Sequence, residues 1–229
     1  MIKKKKTNKK LKQADKKAAE EEPEDLAPFM ILDSSLSQES EASRLRTISL
    51  YGEIEEEVAS EIVYAFYAMK EFGLEEKLKD PNDSDSETTI SCKPIEFLIS
   101  THGGAASEMF SIYDTMRMIR ESCEIHTLGL GKVMSAGVLL LASGTKGKRR
   151  IAKNCRIMIH SVMAAHHGSL HSLENEMDEI RYLQQQHINC LVEETSMTKS
   201  YLKKLMNKKI NVYLTAEKAI ELGIADEIV

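Results

Sequence analysis

The sequence predicts a soluble α/β protein with one catalytic-sized domain and a largely parallel sheet. Three observations carry this. Short apolar runs of the buried-strand type alternate with segments of helical periodicity. One predicted helix, MSAGVLLLASG, is apolar nearly all round and must be buried. A late segment places Leu170, Leu173, Met177, Ile180, Leu183, His187 and Leu191 at spacings of three and four, the stripe of one long helix.

The elements follow in order. Residues 1–40 form a basic block, MIKKKKTNKKLKQADKK, and an acidic one, EEEPED, with little to bury. Such composition predicts a disordered arm, because no apolar surface offsets the entropy of ordering it. Residues 41–229 make up the domain, with order expected from about Arg46. TISLYGEI at 47–54 reads as a strand. The helix after it carries Val58, Ile62, Val63, Phe66 and Met69 on one face. An acidic loop insertion is expected at about 75–92, where LKDPNDSDSETT lacks periodicity. PIEFLIST is a strand ending at His102-Gly103-Gly104, and AASEMFSIYDTMRMIR is the next helix. EIHTLGLG and RIMIHSV are strands on either side of the buried helix. The final helix starts at Thr215, stops at Gly223 and gives way to a last strand.

Composition narrows the function. A net charge of −5 and acidic surface segments argue against nucleic acid as a partner. No run of eighteen apolar residues offers a membrane span. The basic N-terminus lacks the apolar stretch of a secretory signal, so a cytoplasmic location is expected. Cys92, Cys123, Cys155 and Cys190 form no CxxC pair, which argues for reduced structural thiols and no metal.

The residues with chemistry are few. In Gly131-Lys132-Val133-Met134-Ser135-Ala136-Gly137 a strand turns abruptly into the buried helix, with a serine at the turn. A helix N-terminus supplies unpaired N–H groups suited to a developing oxyanion. The same position also suits a plain N-cap. The GxSxG spacing of the α/β-hydrolase elbow is absent, because the upstream glycine lies four residues before Ser135. His160 ends an apolar strand, where it can face a cleft or simply be a satisfied histidine, as can His102, His166, His167 and His171. Gly103 and Gly104 permit close approach of backbone to a ligand, or form a tight turn.

Taken together, the GG turn, the GxxxSxG turn and the MIH strand, with SIYDTM, GTKGKR and YLTAEKAIELGIADEI between and after them, resemble the Clp protease family over about 46–229. The resemblance implies the repeated β-β-α units of the Clp protease and crotonase folds with a protruding handle helix. It implies a serine endopeptidase acting on peptides and unfolded proteins without metal or organic cofactor. Ser135 would be the nucleophile and His160 the base. The N–H groups of Gly104 and Ala136 would form the oxyanion hole, with Gly103 and Ser161 at the substrate. Stacked heptameric rings and an ATP-dependent unfoldase partner would follow. The chain departs from the family where its third catalytic Asp falls, since the register places Asn207 there, in MNKKINVY. The unfoldase-docking aromatics are replaced by Glu96 and Leu98, and the Gln-Pro after the histidine by Ser161-Val162. Two other functions fit: a ring-forming scaffold with a weak site, and an acyl-CoA enzyme of the crotonase type, whose oxyanion hole also uses paired N–H groups.

Overall fold

The structure is a computed structural model that describes residues 45–78, 86–207 and 210–229. The expected arm at 1–40 lies outside the described residues. From Arg46 to Val229 the chain forms one compact unit.

Strand β1 (Thr47–Ile54) buries Ile48, Leu50 and Ile54 and runs parallel to β4 (Ile95–Gly104), whose Ile95, Phe97 and Ile99 alternate into the core as a half-buried strand requires. Helix α1 (Glu56–Phe72) sets Ala59, Ile62 and Phe66 against this sheet, and the Phe66 ring meets Phe97 edge-on at 5.2 Å. Helix α2 (Ala106–Arg120) buries Met109, Ile112, Tyr113, Met116 and Ile119 along one stripe. Strand β5 (Ile125–Met134) pairs parallel with β4, but its register jumps: Ile99 faces Gly129 and Thr101 faces Val133. The extra residues swing the end of β5 away. Its first half therefore pairs with β6 (Arg149–Ile151) and its second with β7 (Arg156–Ile159). Helix α3 (Ala136–Ala142) is buried at every residue, as its composition demands.

The sheet order is β1-β4-β5-β6-β9, with β9 at Glu227–Ile228. Within it β8 (Val212–Leu214) lies antiparallel to β7 and the other pairs are parallel. Helix α5 (Lys199–Met206), capped by the Thr198 hydroxyl, and α6 (Ala216–Glu221), capped by Thr215 as expected, complete the unit. Among the described residues no helix is long and apolar enough to cross a membrane.

Two expectations are corrected. The segment at 75–92 is not a plain loop: β2 (Leu74–Leu78) and β3 (Thr88–Cys92) pair as an antiparallel hairpin. Thr and Ile at 88–90 have the strand preference that the acidic flank conceals. Nor are all thiols reduced, since Cys92 and Cys123 form a disulfide across Cα atoms 4.9 Å apart, while Cys155 and Cys190 are free. The ends of β3 and α2 converge there, and Arg46 donates to the Lys93 carbonyl at 2.7 Å beside them.

Helix α4 (Leu170–Glu194) starts exposed and ends in the core. It is tied there by a buried carboxylate. Glu194 accepts hydrogen bonds from Arg120 at 2.7 and 2.9 Å and from Lys146 at 2.9 Å. Burial alone would raise its pKa, but these cations more than offset that and hold it below the ordinary carboxylate range. Its folded pKa is thus depressed, so its contribution is present above the unfolded value and lost as pH falls through the folded one. Arg120→Ala, which strips the bidentate partner from a buried charge, is expected to cost about 3 kcal/mol in urea unfolding at pH 7. Loss of less than about 0.5 kcal/mol would show that the pair does not anchor α4.

Candidate active site

The site is built where β5 becomes α3. Ser135, between them, has φ 53° and ψ −121°, and it is the one non-glycine residue with positive φ among the described residues. Such backbone costs about 1–3 kcal/mol and persists only where its surroundings fix it. Its N–H donates to the Met158 carbonyl of β7 at 2.8 Å, its carbonyl accepts from Val138 N–H at 3.1 Å, and fully buried α3 blocks relaxation. Although Ser135 holds the N-cap position, its side chain makes no cap hydrogen bond. The hydroxyl is turned to the cleft, where Oγ lies 2.7 Å from Nε2 of His160.

His160 directly follows β7, and the pairing of Val212–Leu214 with Ile157–Ile159 fixes that strand end. Burial lowers its pKa below the ordinary imidazole value. The ring is neutral at pH 7, so Nε2 can accept the hydroxyl proton.

Gly103 and Gly104 close the opposite side. Gly103 has φ 103°, and a Cβ there would stand 2.6 Å from Cβ of Ser135. A Cβ on Gly104 would stand 2.2 Å from the Ile54 carbonyl oxygen. Neither position admits a side chain without displacing backbone or Ser135. Thr101 fixes the approach, accepting from Gly103 N–H at 2.9 Å and donating to the Gly52 carbonyl at 2.5 Å. Ala136 opens α3, so its N–H has no acceptor within the helix.

These groups share a cleft of about 420 Å³, lined by Gly103, Gly104, Ser135, Ala136 and His160 and floored from α4 by Ile180, Leu183 and His187. Ser161 does not line it, whereas Val162, Met163 and Ala164 do. Gln184 of α4 accepts the Val162 N–H at 3.2 Å and holds that segment across the cleft. Asn207 is not brought to His160. It is exposed at the C-cap of α5, and among the described residues its side chain makes no hydrogen bond to the histidine. Asp178 is turned to solvent and pairs with Arg181 at 2.8 Å. A groove between α1 and α2, near Val63, Tyr64 and Tyr67, has no histidine in its lining, and its Ser107 hydroxyl donates to the neighbouring Glu108 carboxylate at 2.6 Å.

Sequence reasoning missed Met109 and His187 as cleft residues. For His187 a signal existed, since a histidine interrupts an otherwise apolar stripe on α4. His187 is 7% exposed, and its Nε2 is buried without a hydrogen-bond partner among the described residues.

The sequence model of the Clp protease family matches residues 86–229, from the turn before β3 to the C-terminus. Gly103, Gly104, Ser135, Ala136, His160 and the whole of α4 fall inside the match, which takes in more than half of the chain. With that match and a mixed α/β fold built on a mostly parallel sheet, the chain belongs to the Clp protease family.

Proposed function

We propose that the chain is a serine endopeptidase in which a Ser135–His160 pair cleaves peptide bonds of unfolded or delivered proteins. The contact of 2.7 Å between Oγ and Nε2, on a serine freed from helix capping by its own strained backbone, is the observation that carries this. His160 takes the hydroxyl proton as Oγ attacks the carbonyl, the N–H groups of Gly104 and Ala136 receive the oxyanion, and His160 protonates the leaving amine. Water then attacks the acyl-enzyme with His160 again as base. No metal or organic cofactor takes part, and ATP would be used by a separate unfoldase.

The orienting third member is weak. Asn207 stands where the family's Asp falls, but its exposed side chain supports a dyad whose geometry comes from β7 and β8. A neutral amide cannot stabilise the imidazolium formed in the transition state as a carboxylate does. Asn207 therefore contributes less than either member of the pair.

Assembly into stacked rings is supported by the start of α4. Leu170 is 68% exposed, Met177 48% and Leu173 39%, an apolar stripe that a second copy would cover. Where the family docks its unfoldase on aromatics, Glu96 instead pairs with Arg150 and with His126 at 3.1 Å. That surface suits a partner with polar contacts.

In wild type a fluorophosphonate probe is expected to label Ser135. Ser135→Ala should lower casein hydrolysis by about 10³-fold or more and leave the unfolding midpoint essentially unchanged. Hydrolysis surviving this change would sink the peptidase reading in favour of a scaffold. Because the base must be neutral and burial lowers its pKa, kcat/KM should rise with pH through an inflection below about 6.5. An inflection above 7 would place a carboxylate next to His160 after all. Light scattering should give a mass many times the 25.8 kDa of one chain, and Met177→Asp on α4 should reduce it. A monomer with full activity would refute the ring.

A further inference from the structure

The peptide-bond chemistry leaves one buried polar group of the cleft without a use. His187 lies one turn beyond Leu183 on α4 and lines the cavity that holds Ser135 and His160. Its Nε2 is shielded from solvent and unpaired among the described residues. Buried polar side-chain atoms are overwhelmingly hydrogen-bonded in folded proteins, because an unmade bond costs about 1–3 kcal/mol. An orphan at the floor of a substrate cleft points to a partner that arrives with the substrate.

The chemistry of the ring narrows that partner. Burial and the charge that His160 carries when protonated push the pKa of His187 down to about 4, so it is neutral wherever His160 can serve as a base. A neutral imidazole has one N–H and one lone pair, and its Nε2 donates or accepts according to tautomer. A primary amide answers either case, since it carries both a donor and an acceptor. A carboxylate could be met by the Nε2–H tautomer alone, and one neutral donor would not offset its desolvation at a buried floor. An aliphatic side chain would seal the cleft and leave Nε2 unpaired. A cation would find its counter-charges, Glu53 of β1 and Glu176 and Glu179 of α4, only at exposed positions of the lining.

We propose, resting on the serine-endopeptidase reading, that His187 is the specificity-determining residue of this cleft. It selects a glutamine, and after it an asparagine, at a residue flanking the cleaved bond by a hydrogen bond between Nε2 and the side-chain amide. Sites built around such a bond discriminate strongly against side chains that lack it, whereas apolar pockets separate close analogues only by about 10- to 200-fold.

The test is cleavage-site profiling of the full-length protein on a proteome-derived peptide library, read by mass spectrometry at pH 7.5, with fluorophosphonate labelling of Ser135 in parallel. Glutamine should be enriched at least tenfold over glutamate and leucine at one flanking position. In His187→Leu the preference should pass to leucine and methionine. Labelling and cleavage with an apolar, acidic or basic preference in wild type would overturn the assignment of His187 alone. Absence of both labelling and cleavage would overturn the peptidase reading and this assignment with it. The wild-type profile decides the matter even if His187→Leu fails to fold.

Discussion

The site depends on one backbone conformation. Ser135 can hold φ 53° only because three neighbours act together: the Met158 carbonyl takes its N–H, α3 is buried at every position behind it, and Gly103 leaves the space that a side chain would fill. Each neighbour belongs to a different element. Met158 is on β7, reached because the register jump in β5 turns its second half away from β6. Gly103 ends β4. The strain thus connects the irregularity of the sheet to the chemistry, since relaxing Ser135 into an ordinary N-cap would return its hydroxyl to the helix and take it from His160.

Electrostatics bear on how the proposed pair would work without a carboxylate beside it. In the usual triad an aspartate raises the basicity of the histidine and stabilises the imidazolium. Here burial lowers the pKa of His160, and it lowers that of the nearby His187, where the charge of a protonated His160 adds to the effect. Both rings are held neutral. In the proposed mechanism this would keep the base available under mildly acidic conditions but make the imidazolium of the transition state more costly. More of the stabilisation then falls to the oxyanion donors and to contacts along the cleft, where binding a remote side chain can lower the barrier.

Much of this was legible in the sequence, and the exceptions have physical causes. β1, β4, β5, β7, α1, α2 and α4 follow from periodicity, and the Thr215 cap from its residue type. Strands β6 and β8 are three residues each, too short for a period to register, and α5 is Lys-rich with three buried residues. The Cys92–Cys123 bridge joins residues 31 apart that only tertiary folding brings together. At the site, Ser135, His160 and the glycine pair stand out in the sequence through the joint spacing of their motifs, and the structure places them around one cleft. Asn207 was placed by register alone, and register does not fix where an exposed side chain points. His187 was visible as a residue of the stripe but not as part of the cleft, because a helix read singly does not reveal what its apolar face covers.

Helix α4 resolves that ambiguity, since its face changes meaning along its length. Twenty-five residues at about 1.5 Å each span roughly 37 Å, longer than the domain can cover. The last turns are fixed by Leu191 and the Glu194 carboxylate, the middle turns floor the cleft with Ile180, Leu183 and His187, and the first turns leave Leu170 and Met177 in solvent. One continuous stripe therefore meets three environments. An interrupting histidine in the first or last part would be exposed or compensated, whereas in the middle part it is buried at the cleft that holds Ser135 and His160. Position along the helix, rather than residue type, sets His187 at the cleft with an unpaired Nε2, the feature on which its proposed role rests.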